Sequence, residues 1–367
     1  MHSRTTMPQG AALPSRRLRR REAKRQRRRV WRNRILVATA AMMASAAGLV
    51  GVGFGTPWGN DARLVLAETI ISTRHAYLAR YITTDAEYRK LMNQLNPVVV
   101  NSQKPDLVQV QPISQAVNRP VVEIQPVSGD GYTGYVMLVH NPRLVRLVPA
   151  RVVADKGEYV TDMLRRTGAV AGTNASGFED PKGEGWGGVP VGLEYVGGKV
   201  LNPPQPGWTT VGFTKDGVLV MGDYTVTQLR KLGVRDAMQF HPELVVDGKP
   251  MITEGDGGWG YAPRTAIGQA KDGTVIFVVI NGRFHGGAGM GASQRQVMDL
   301  MLQYGAVNAC AMDGGSSSVL AYNGKVVNAP STLDPNGQRH LPDAWLVFPT
   351  EASADLAQAS AGAGVSD

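Results

Sequence analysis

Apolar and polar positions alternate over short distances through most of this 367-residue chain, and long helical periods are few. The first clear pattern is an uninterrupted one. Ile35 to Phe54 is a run of twenty uncharged residues, ILVATAAMMASAAGLVGVGF, about the length a helix needs to cross a bilayer. From Asp61 to about Leu95 the apolar positions take a helical spacing, with Leu64, Ile70, Ile71, Leu78, Tyr81, Tyr88, Leu91 and Met92. This predicts a helical stalk, followed over 97–118 by a polar, Pro-punctuated linker.

Beyond Val121 the pattern is one of hairpins. Two-residue turns of the favoured kind separate apolar runs at Gly197-Gly198, Asp216-Gly217, Asp247-Gly248, Asp272-Gly273 and Asn323-Gly324. They predict strands near 132–139, 191–201, 209–221, 243–252, 265–280 and 318–327. Helices are predicted over about 157–167, 225–232 and 293–304. In the last, Ser293 and Gln296 form a capping box and Gly305 takes the C′ position. After Pro349 the sequence EASADLAQASAGAGVSD is of low complexity and predicts an unstructured end.

The chain thus divides into a basic tail (1–34), an apolar span (35–54), a stalk and linker (55–120), a body (121–350) and a terminal tail (351–367). The fold class implied is α+β, a large mixed or antiparallel sheet with few helices, preceded by a transmembrane helix and a helical stalk.

Charge changes the picture in one respect. The net +9 is concentrated in residues 1–34, where thirteen Arg or Lys stand against Glu22 alone, so the rest of the chain carries −3. A basic block directly before an apolar span stays on the cytoplasmic side. The reading is a signal-anchor with the body outside; the rival is a signal peptide cleaved near Ala44-Ser45-Ala46. On that topology the basic tail and the acidic body do not meet, which argues against nucleic acid as a partner. The lipid bilayer, through 35–54, is one. Cys310, the sole cysteine, reads as a small buried hydrophobe. His75 has no metal-type residue at helical spacing, no His/Asp/Glu cluster has metal spacing, and no cofactor is implied.

Candidate chemistry clusters between Arg264 and Leu320. Asp313 follows the apolar run Ala309–Met312, at the expected end of a buried strand. Gly314 and Gly315 then allow a sharp turn, and Ser316 and Ser317 add hydroxyls, so the turn is a candidate anion cradle. By itself such a turn also reads as an Asp capping its own backbone. Arg264 opens one strand and Arg283 closes the next. The Asp272-Gly273 hairpin brings both to one end, where guanidinium groups suit a phosphate. Asn174 is a candidate sugar contact, and Asn281 sits beside Arg283. Asp256 belongs to the Gly-rich loop Glu254–Gly260, and His241 is a titratable group before Pro242.

Taken together, NASGF (174–178), GGVPVG, ITEGDGGWGYAPRTAIGQ, VVINGR, YGAVNACAMDGGSSS and NGKVVNAPS resemble the bacterial phosphodiester glycosidase family, relatives of the lysosomal uncovering enzyme. The resemblance covers about Val121 to Phe348. It implies an enzyme, a hydrolase cleaving a sugar-1-phosphodiester or phosphorylated glycan of the envelope or exopolysaccharide. On it Asp313 is base or nucleophile, Arg264 and Arg283 clamp phosphate, Gly314–Ser317 form the cradle, and Asn174, Asn281, His241 and Asp256 lie toward substrate. Two positions depart from the family's pattern. Asn281-Gly282-Arg283 replaces Asp-Gly-Arg, and Phe240-His241-Pro242 replaces Phe-Gly-Pro. The Asn281 departure supports an alternative, a membrane-anchored module that binds anionic glycans without cleaving them.

Overall fold

A computed structural model describes residues 16–71, 75–95, 99–101, 107–110, 119–151, 156–180, 185–283 and 289–363. They fall into two compact units, Met1–Leu64 and Val65–Asp367. Within the first, one helix runs Arg16–Gly55. Its stretch Lys24–Gly55 is long and apolar enough to cross a membrane. The described part of the basic tail is therefore helical. No Gly or Pro interrupts 16–47, and Arg and Lys are good helix formers, so the helix propagates through the charged block.

The second unit is built on three antiparallel sheets. The largest has seven strands in the order Glu123–Gly129, Tyr132–Val139, Val275–Ile280, Thr265–Ala270, Ala306–Met312, Glu243–Val246 and Lys249–Pro250. A five-stranded sheet contains Ala171–Asn174 between Leu320–Tyr322 and Asp343–Val347. Another places Val234–Phe240 between Glu194–Val196 and Thr209–Thr214. One apolar cluster joins all three, with Phe277 and Met312 from the first, Trp345 from the second and Phe213 from the third. Cys310 is fully buried within it.

Turn chemistry works as expected. Gly197-Gly198, Asp247-Gly248 and Asn323-Gly324 have positive φ at both central residues, the twist a two-residue hairpin needs. Helices Val160–Thr167, Val226–Lys231 and Gln294–Gln303 match the expected ones, and Ser293 and Gln296 form the reciprocal cap. Among the described residues five further strands, at 123–129, 145–149, 171–174, 234–240 and 343–347, lie outside the expected set, although Asp130-Gly131 turns the first of them into 132–139.

Two boundaries differ from expectation. The stalk and linker are part of the body from Val65 onward. Ala67, Ile71, Ala79 and Leu91 bury a small core, Val100 N donates to Glu243 Oε2 at 2.9 Å, and Gln109 N donates to Lys271 O at 2.8 Å. The terminal tail is a helix over Glu351–Ala363. It docks because Asp355 meets the buried Arg146 at 2.6 Å and Ala354 is fully buried; residues 364–367 lie outside the described residues.

Candidate active site

Strand register assembles the site. Thr265 pairs with Met312, so Arg264 and Asp313 emerge side by side one residue beyond that pair. Ile280 N donates to Arg264 O at 2.8 Å, and Arg283 follows just past the end of that neighbouring strand. Asp313, Arg264 and Arg283 line one cavity of about 940 Å³ together with Gly314, Gly315, Ser316 and Ser317. Arg264 and Arg283 are close enough to repel, as the hairpin predicted.

Burial pushes the Asp313 carboxyl up to about 6, against the Ser317 hydroxyl, the Arg339 charge and the Gly314 amide, which all favour the carboxylate. Beneath it lies a second acidic group. Asp343, fully buried, accepts from Ser176 N at 2.8 Å and Ser176 Oγ at 2.6 Å. Burial raises Asp343 to about 6, with the charge of Asp313 adding to the shift. Glu194, also fully buried, is raised well above the usual carboxylate range by burial and by Asp343. Both Glu194 carboxyl oxygens are buried without a hydrogen-bond donor, which favours its neutral form. A carboxyl poised near 6 beside fixed guanidinium groups can act as a base or nucleophile near neutral pH.

The remaining expected residues divide. The cradle lines the cavity, but its amides serve the protein: Gly314 bonds Asp313, Gly315 N donates to Pro263 O at 2.9 Å, and Ser317 N donates to Gly314 O at 3.1 Å. Arg264 donates from Nε to Ala292 O (3.1 Å) and from Nη2 to Trp259 O and Gly260 O (both 2.7 Å). Burial lowers it to about 10, which leaves it charged at neutral pH.

Asn174 is fully buried and does not reach the cavity. Its Nδ2 donates to Asp313 O at 2.7 Å, and its Oδ1 accepts from Thr265 Oγ and Val319 N. It ties strands under Asp313, and its position corrects the sugar-contact expectation. Asn281 likewise lies outside the cavity wall, donating to Thr133 Oγ and accepting from Ala329 N. An amide both donates and accepts, as this pair of bonds requires, so the departure at Asn281 has a structural reason. His241 packs between Trp208 and Trp259, with ring centroids at 4.5 and 5.1 Å. Burial lowers it to about 4, so it is neutral, apolar-faced packing under Trp259. Asp256 caps its own loop through Gly258 N at 2.7 Å and faces Glu68.

Sequence reasoning missed Arg339, which donates to Ser316 Oγ at 2.8 Å and lies 4.4 Å over the Phe178 ring in the cavity wall. No local motif marked it: Arg264 directly follows Pro263 at a strand start, whereas Arg339 lies three residues before Pro342.

Residues 167–348 match the family model described as phosphodiester glycosidase. The SPbeta prophage-derived uncharacterized protein YomE of Bacillus subtilis (strain 168) is 33% identical over 182 residues, 47% of this chain. The match spans only 27% of that relative's length. The catalytic domain of zebrafish N-acetylglucosamine-1-phosphodiester alpha-N-acetylglucosaminidase, auto-inhibited by its pro-peptide, shares the fold. The TM-score is 0.55 at 19% identity, over 69% of this chain and 89% of that one. Residues 167–348 of this chain are thus a phosphodiester glycosidase domain.

Proposed function

We propose that this chain is a membrane-anchored, extracytoplasmic hydrolase that cleaves the bond between a sugar anomeric carbon and a phosphodiester oxygen in envelope or exopolysaccharide glycans. The observation that carries the reading is Asp313. It stands at a strand end in a cavity lined by Arg264, Arg283 and Arg339, with its carboxyl raised to about 6. In the proposed step Asp313 takes a proton from the water attacking the anomeric carbon, or itself attacks that carbon to form a glycosyl ester that water then hydrolyses. The C–O bond breaks with its electron pair passing to the phosphate oxygen. A phosphodiester leaves as a weak base, so guanidinium charge serves where other glycosidases need a second carboxylic acid. The basic flank and apolar helix at the N-terminus support an anchored, outward-facing body.

The test is full-length protein in detergent, incubated with a panel of sugar-1-phosphodiesters and assayed for free sugar. Turnover that disappears in Asp313→Asn while the fold survives supports the reading. An Asp313→Asn protein as active as the wild type overturns it. For topology, the body should be digested by protease added to intact cells, and protection there would refute the outward orientation.

A further inference from the structure

The cavity does not end at the groups around Asp313. Its wall continues through Ser316, Arg339 and Gly185 to Trp186 and Lys156. Lys156 Nζ lies 4.5 Å over the Trp186 ring, and Trp186 is 47% exposed. That exposure sits on fixed backbone. Gly157 N donates to Trp186 O at 2.8 Å. A side chain at Gly187 would meet His340 O at 2.2 Å, and one at Gly157 would meet Gly187 O at 2.3 Å and Leu341 O at 2.5 Å. The glycines let these segments approach closely and hold the indole at the rim. A large apolar ring kept in water at a fixed place is a platform for a ligand whose face is apolar and whose edge is polar, as a pyranose is.

Lys156 also lines a second cavity, of about 490 Å³, with Arg151, Arg165 and Arg166. Its carboxylates are Glu158 and Asp162. Arg166 bonds Glu158 and Arg165 bonds Asp162, so the wall keeps an excess of two positive charges. This is a local feature, since the chain beyond residue 34 is net −3. A concave, positively charged wall concentrates anions. The order along the surface is therefore guanidinium cluster, indole platform, basic cavity.

We propose that this track binds the next repeat of a phosphodiester-linked glycan polymer: one phosphate at Arg283 and Arg339, the intervening sugar on Trp186, and the following phosphate at Lys156, Arg151 and Arg165. The substrate is then a repeating anionic glycan rather than a single diester. The proposal rests on the reading of the Asp313 cavity as the hydrolytic centre.

The experiment uses full-length Asp313→Asn protein and synthetic hexose-phosphodiester oligomers of one, two and four repeats, with affinity read by calorimetry at two salt concentrations. Two repeats should bind about tenfold more tightly than one, and added salt should erase most of the gain. Adding Arg151→Gln and Arg165→Gln should remove the gain while leaving single-repeat affinity within twofold. Trp186→Ala should reduce it about tenfold, with Trp186→Phe restoring most of it. Oligomers that bind no better than one repeat, or a gain that survives the arginine changes, overturn the track. A length-dependent gain seen in a protein that hydrolyses no oligomer with Asp313 intact leaves the track standing and refutes the catalytic reading alone.

Discussion

Two glycine-rich loops, 313–317 and 254–260, look alike as sequence: each has an aspartate followed by paired glycines and lies near Arg264. Their partners make them different. In the first, the Gly314 amide and Ser317 hydroxyl turn inward on Asp313, and the loop forms cavity floor. In the second, the glycines are packing sites. A side chain at Gly257, Gly258 or Gly260 would meet Gln294, Gln94 or Thr69 at under 3.0 Å. Asp256 faces Glu68 of the helix Pro57–Ile71, and only Trp259 of this loop reaches the cavity. One loop holds a reacting group, and the other holds Arg264 by two carbonyls. What packs against a glycine loop decides its role.

The largest expected effect separates chemistry from fold. Asp313→Asn should lower kcat/KM about a thousandfold, roughly 4 kcal/mol of transition-state stabilisation, with melting temperature unchanged or raised. Asp256→Asn should do the reverse, lowering the melting temperature with activity within about threefold. In the wild type kcat/KM should fall as pH drops through about 6, because the working form of Asp313 is the carboxylate. That limb is shared with Asp343, so its apparent value belongs to the group of carboxyls.

Arg264→Met tests the tie between the loops. It leaves the carbonyls of Ala292, Trp259 and Gly260 without their donor, and should destabilise by about 3 kcal/mol in denaturant titration. The glycines sharpen the contrast. Gly260→Ala combines φ +56 with a Cβ 2.3 Å from Thr69 Oγ, and should destabilise by about 3 kcal/mol. Gly315→Ala has φ +61 and open space, so only the left-handed conformation opposes it, about 1 kcal/mol.

The smallest effect is a pH dependence. Burial first, then the charge of Asp256, raises Glu68 to about 8. The native state thus holds a proton that the unfolded chain releases near 4.5. Its stabilising contribution is complete below that value and is lost as pH rises through about 8. The melting temperature should fall modestly from pH 7 to 9, and Glu68→Gln should flatten that slope. A slope unchanged by Glu68→Gln would rule out Glu68 as its source.

The hairpins were legible because Gly-Gly, Asp-Gly and Asn-Gly carry positive φ in their own chemistry, and the Ser293 cap because its partner is three residues away. The pairing of Arg264 with Arg283 followed from one such hairpin. Asp313 was found as a strand end followed by glycines. Arg339 was not, because nothing local joins residue 339 to Ser316 or Phe178. Strands 145–149 and 343–347 were missed because both faces are buried, which erases the alternation that marks a half-exposed strand.

The sequence by itself determined the apolar span, the hairpin-rich body and the short-range turns that place an acid and two arginines near one sheet edge. These rest on interactions between residues close along the chain. Tertiary structure alone decided which polar groups face the cavity. Asn174, Asn281 and His241 have residue types suited to a ligand, yet each is buried among partners distant in sequence. Arg339 and Trp186 reach the wall because segments more than a hundred residues apart close against one another. Burial and long-range pairing set that division, and neither is a property of a residue type.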